Sequence, residues 1–399
     1  MELLHHVYLI PGFFGFANFG EFSYFSHVAE LLASRLVRHR LDVALHVVKS
    51  PPTASIRRRA LELYRAIAGT AAGGEGPIHL IGHSTGGLDA RLLVSPGVSL
   101  PGVDEAQVER FARRVCTVIG VATPHHGTPM ASFFNTLLGQ KLLQLVSLAT
   151  IYVLRFGRLP ISFLLPLAGV LSGLDDVLYR RQDTLDQLYD QLLRDFSPER
   201  RDALQHFFQQ VSTDQSLLPQ LTPEGIDLFN ATARPRPGVR YGSVVTQARR
   251  PGLKTALAAG VGLYPQVNHA LYLACHRLVA LTPSAFCPRV SEEQSRALRL
   301  GYGRFPEIDG NDGMVPTLSQ VWGPIIAAAW ADHLDVIGHF DNPLHDPPHF
   351  DWLVTGTRFQ RWDFEEMWAK VARFIAEQRS SRVEPEDPVA RPPVNEGDN

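Results

Sequence analysis

Cysteine is scarce, with Cys116, Cys275 and Cys287 the only three in 399 residues. That number is too small for a disulfide framework, and the lack of any CxxC pair removes a cysteine-based zinc fold. A single Cys275–Cys287 bridge is the one pairing left open. No charge excess exists either: 38 Lys plus Arg face 40 Asp plus Glu, a net −2. A dedicated nucleic-acid binder would carry a basic surplus. The phosphate-cradling pattern G-x-x-x-x-G-K is missing. No basic n-region or small-residue cleavage site goes with the first apolar run, HHVYLIPG. Cytoplasmic residence is therefore expected, or secretion if a leader has been trimmed. Long hydrophobic runs are absent too. The most apolar stretch, Leu142 to Leu174, is broken by Arg155 and Arg158 and interrupted by Pro160 and Pro166. Its longer uncharged part would reach about 24 Å as a helix, short of a hydrocarbon core of about 30 Å. No transmembrane segment is expected, though a surface-seeking one remains.

What is present is an ordinary globular composition, 45% hydrophobic and 20% charged. The length suits two to three domains, or one large domain with an insertion. Over the first 125 residues, short β-branched runs alternate with helical patterns. His6–Ile10, Val43–Val48, Ile78–Gly82 and Val115–Ala122 read as strands, and Ile56, Ala60, Leu63, Tyr64 and Ile67 form a helix stripe. Strands this apolar are covered on both faces, which predicts an α/β fold with a mostly parallel sheet. From about Gly127 to Asn230 helix follows helix. Strand signals return at Val239–Thr246 and Ile325–Trp330, and Asp363–Gln378 reads as a closing amphipathic helix. The expected organisation is a core of 1–126 and 231–379, a helical insertion at 127–230, and a disordered Pro-rich, charged tail at 380–399.

Gly82-His83-Ser84-Thr85-Gly86, followed by Gly87, fits G-x-S-x-G. It stands directly after the strand IHLI and directly before a helical pattern, the strand–turn–helix context an exposed nucleophilic serine needs. Pro11-Gly12-Phe13-Phe14-Gly15-Phe16 closes the first strand. The Phe13 amide there, paired with that of Thr85, would form an oxyanion hole. An activated serine requires a base and an orienting carboxylate. Asn311-Asp312-Gly313 and the later Asp332-His333 supply them in the order Ser84…Asp312…His333, with Asp309 and His339 as competing acid and base. Asp312 is preferred because Gly313 permits the sharp turn, and His333 because it comes first after a strand.

The segments YLIPGFFGF, LIGHSTGG, GVATPHHGTPMA, QLTPEGIDLFNA, GNDGMVP and DHLDVIGHF together resemble the bacterial true lipases of the α/β-hydrolase superfamily, typified by Pseudomonas and Burkholderia triacylglycerol lipases. The resemblance runs from residue 8 to residue 340. It implies Ser84 as nucleophile, Asp312 as acid, His333 as base, Phe13 and Thr85 as oxyanion donors, and the helical insertion as a lid. Phe13, Phe14 and Phe16 at the oxyanion loop, with the Leu-, Ile-, Val- and Phe-rich insertion, predict esters of apolar, medium- to long-chain acyl groups as substrates, with transient contact at a lipid interface and no cofactor required for the chemistry. Short-chain esters, polyesters, or a non-catalytic lipid- or partner-binding module are the competing expectations. Pro11 stands where the family has His. The family's structural Ca²⁺ would have Asp335 as one ligand, but His339 replaces an amide side chain, and the other carboxylate is not evident. The loop carrying His339, Asp341, His345, Asp346, His349 and Asp351 admits a zinc reading, although its prolines favour a surface loop. His125-His126 is expected to support the crevice without taking part in chemistry.

Overall fold

A computed structural model describes residues 3–13, 24–72, 74–156, 158–172, 178–351 and 353–381. The phenylalanines at 14 and 16 and the tail beyond 381 lie outside these residues. Six strands, β1 (His5–Ile10), β2 (Val43–Val47), β3 (Ile78–His83), β4 (Val115–Val121), β5 (Arg240–Gln247) and β6 (Ile325–Trp330), make one sheet of order β2-β1-β3-β4-β5-β6. Every neighbouring pair is parallel. All six carboxyl ends therefore open onto one edge, where ligand sites form in such sheets.

Alternation along the strands divides the core in two. Val7 and Leu9 of β1 join one apolar cluster with Ile81, Ile119 and Val121, while Tyr8 and Ile10 join another with Leu80 and Val118. Helices Ser26–Arg38 and Arg361–Ser381 cover the first face through Val28, Leu32, Leu36, Val371 and Ile375. The second face is covered by Ile56–Ala71, where the predicted stripe is buried at Ala60, Leu63 and Ile67. Ser55 caps that helix, its side chain accepting from the Arg58 amide. Trp368 is fully buried and donates its indole N–H to the Val336 carbonyl at 2.9 Å.

Between β4 and β5 the chain is helical, from Pro129–Phe134 through Leu137–Phe156 to Pro223–Thr232. The first part of the most apolar stretch lies in helix Leu137–Phe156. Its buried Leu142, Leu143, Leu148 and Ile151 belong to the same apolar cluster as the sheet. Three further helices, Leu253–Ala259, Leu263–Val279 and Glu292–Tyr302, are elements no sequence pattern announced. Leu263–Val279 carries Pro265 in its first turn and buries the polar Asn268, His269 and His276, which breaks an apolar stripe. The disulfide left open by the sequence does not form. Cys275 lies in that helix, Cys287 follows a separate short turn at Ser284–Phe286, and both thiols are free. Burial pushes the Cys275 thiol up to about 12, holding it protonated.

Candidate active site

Ser84 occupies the one-residue bend between β3 and the turn into helix Gly86–Val94. Its φ is +52°, a left-handed conformation that costs a non-glycine residue about 1–3 kcal/mol. The Ser84 amide is tied to the β4 carbonyl of Val121 at 2.8 Å, so the neighbouring strand holds the bend. The loop leaving β1 presses on it from the other side. A Cβ built on Gly12 would lie 2.5 Å from Ser84 Cβ and 3.1 Å from its Oγ, so only glycine fits there. Arg59 locks these parts together. Its guanidinium pairs with Asp89, on the helix after Ser84, at 2.8 Å with both side chains fully buried, and donates to the Pro11 carbonyl at 2.7 Å. Burial raises Asp89 to about 6, opposed by the Arg59 charge.

Asp312 comes from the long segment between β5 and β6, and His333 follows β6. Five donors converge on the Asp312 carboxylate. Oδ1 accepts from the amides of Met314 (2.9 Å) and Val315 (2.7 Å); Oδ2 accepts from Thr246 Oγ1 (2.7 Å), Gln320 Nε2 (3.1 Å) and His333 Nδ1 (2.8 Å). A carboxylate so occupied leaves His333 Nδ1 as donor and Nε2 as the basic nitrogen. The His333 amide also reaches the Asp312 carbonyl at 3.1 Å. Ser84, His333, Phe13 and Thr85 all line one pocket, whose remaining walls are mostly apolar, including Met130, Phe134, Leu218, Leu221 and Val315. The insertion thus contributes both ends of its chain to the pocket wall. The competing candidates lie elsewhere: Asp309 pairs with Arg250 at 2.7 Å, and His339 does not line this pocket.

A scan of protein-family models and a comparison with curated proteins give no match. Solved structures do match. EstA from Clostridium botulinum is 17% identical with a TM-score of 0.52, covering 93% of this chain and 87% of that one. Lipase 1 from Pelosinus fermentans is 16% identical with a TM-score of 0.54, covering 94% and 99%. The chain has an α/β-hydrolase fold.

On that fold, His83 is a residue the G-x-S-x-G reading left as the variable position. Its Nε2 meets the His333 carbonyl at 2.8 Å and its Nδ1 the Tyr24 hydroxyl at 2.6 Å. A carbonyl can only accept, so Nε2 donates and Nδ1 accepts from Tyr24. Burial, then the neighbouring His333, keeps the His83 ring neutral by lowering it well below 6.5. The Tyr24 oxygen in turn takes the Gly12 amide, and its burial raises its own ionisation. One line of hydrogen bonds therefore runs from the loop after β1, past the serine, to the backbone of His333. His125 is buried against Arg91 and Trp322.

Asp335 does gather with other carboxylates. Asp332, Asp335 and Asp351 bring oxygens within 4.8 Å of one another, and Asp332 Oδ2 is buried without a partner. Burial raises all three well above the ordinary range, with Asp335 acting on Asp332, Asp351 on Asp335 and Asp332 on Asp351. An all-oxygen set with an orphaned carboxylate oxygen fits a hard divalent cation. His339 is not part of it. Asp351, from the His/Asp-rich loop, is brought beside Asp335 by the fold.

Proposed function

We propose that this protein is a serine carboxylester hydrolase of lipase type, acting on esters of apolar acyl groups. The observation that carries the reading is the His333–Asp312 pair at 2.8 Å, opening onto the same apolar pocket as Ser84 at its strained bend. His333 Nε2 takes the Ser84 proton as Oγ attacks the ester carbonyl, and Asp312 steadies the imidazolium. The oxyanion is held by the Phe13 and Thr85 amides, an acyl-enzyme forms, and water hydrolyses it. Each acyl CH₂ buried in the apolar pocket gains about 0.8 kcal/mol, which supports medium or long chains over acetate. The six quoted segments support a place near the Pseudomonas and Burkholderia lipases. The helical insertion, which walls the pocket, serves as a lid in this reading and meets the lipid surface.

A structural Ca²⁺ would be held by Asp332, Asp335 and Asp351. Bound there, it would offset three buried like charges beside His333 and take no part in the chemistry.

The test is turnover of p-nitrophenyl esters from acetate to palmitate, for the wild type and Ser84→Ala. A loss of several orders of magnitude in the variant, and a wild-type preference for longer chains, is expected. Near-normal turnover by Ser84→Ala would refute the assignment, whereas an acetate optimum would redirect it to a short-chain esterase.

A further inference from the structure

Beyond His333 the chain folds back over helix Ser26–Arg38, and a second cluster of imidazoles forms there. His27, in the first turn of that helix, meets His345 and His349 of the returning loop, each offering a ring nitrogen within 4.8 Å of the others. The rings of His27 and His349 stack with centroids 3.7 Å apart, and His345 sits 4.8 Å from His349. Backbone carbonyls fix the ring tautomers. His349 Nδ1 donates to Gly338 at 2.7 Å and His345 Nδ1 to Pro347 at 2.9 Å, while His27 bonds to the Pro348 backbone. Each ring thus commits one nitrogen to a carbonyl and keeps the other as a lone pair. Such carbonyl bonds set the tautomer of histidine ligands at transition metals, and a shared ion would require the stacked His27 and His349 rings to turn apart. The backbone is shaped around the cluster. Gly338 has φ +104°, and a Cβ there would strike the His27 side chain at 2.8 Å. Glu30 and Asp346 line the groove in which the rings lie, leaving room for a fourth ligand.

We propose that His27, His345 and His349 bind one Zn²⁺ through their uncommitted ring nitrogens, clamping helix Ser26–Arg38 to the loop that follows His333. Three imidazoles with a fourth position for water or carboxylate are a zinc donor set, distinct from the all-oxygen cluster at Asp335. The zinc reading of the His/Asp-rich loop thus returns with a partner the sequence did not suggest, from more than 300 residues away.

The full-length protein, stripped with a chelator and dialysed, is titrated with Zn²⁺, with metal content read by mass spectrometry and Tm by calorimetry. Expected are one Zn²⁺ per chain, a rise in Tm, and with Co²⁺ the intense visible absorption of a four-coordinate site. His345 is half-buried on a loop, so His345→Ala should fold and bind Zn²⁺ at least about tenfold more weakly, since losing even an outer partner of a ligand costs about 10–100-fold. Asp335→Asn should leave zinc affinity unchanged. Failure of the wild type to take up stoichiometric Zn²⁺ would overturn the proposal. So would unchanged affinity in His345→Ala, or zinc lost in Asp335→Asn and kept in His345→Ala. None of these readouts depends on ester hydrolysis.

Discussion

At the scale of single residues, Asp312 is more firmly held than a carboxylate serving only one imidazole would need to be. Thr246, Gln320 and two amides keep it oriented even when His333 moves. Asp312→Asn should leave the geometry in place but offer Nδ1 the wrong partner. A fall in kcat of about 10⁴, the size measured for the equivalent change in another triad, is expected from steady-state kinetics. Tyr24→Phe makes a subtler probe. It removes the hydroxyl that joins Gly12 to His83, a hydrogen bond worth about 1–1.5 kcal/mol, so kcat should drop about tenfold with KM nearly unchanged. A change confined to KM would assign Tyr24 to substrate binding instead. Ser84, Asp312 and His333 were legible in the sequence because their chemistry demands particular neighbours, a glycine bend or a following strand. Tyr24, Gln320, Thr246 and Asp351 carry no such local mark. Only tertiary packing brings them to the site.

At the scale of elements, the strands could be read because each is buried on both faces, and a run such as VCTVIGV has few alternatives. The helix Leu263–Val279 could not, because its buried face holds Asn268, His269 and His276 among the apolar residues. The insertion was legible as helices but not in its attachment to the sheet core through Leu143 and Leu148. It also leaves Phe156, Ile161 and Leu165 exposed at 45%, 40% and 48%. If this face meets lipid, activity on an emulsified long-chain ester should rise above the solubility limit. Replacing Ile161 and Leu165 with Asp should flatten that rise while leaving turnover of a soluble short ester unchanged. A double variant with the wild-type profile would place the lipid contact elsewhere.

At the scale of the whole molecule, buried neutral histidines couple stability to pH. Burial lowers His276 to about 4, with nearby Arg250 adding to it and Asp309 opposing. An unfolded chain protonates this ring near 6.5, so between about 6.5 and 4 the unfolded state binds more protons and acid destabilises the fold. Asp89, raised to about 6, titrates in the opposite sense, so the informative quantity is a difference between proteins. Relative to the wild type, the Tm of His276→Gln should improve steadily as pH drops from 6.5 to 4 and stay constant above 7. A difference independent of pH would mean that His276 is charged or solvated in the native state.

The contact between His83 and the His333 carbonyl spans 250 positions. A ribosome adding about 5–20 residues per second needs roughly 12–50 s to make that stretch. Throughout that interval the serine bend can already exist while its imidazole has yet to be synthesised. In the proposed reading, a nascent chain that has not reached His333 lacks the base that would activate Ser84, so ester hydrolysis would wait for that residue.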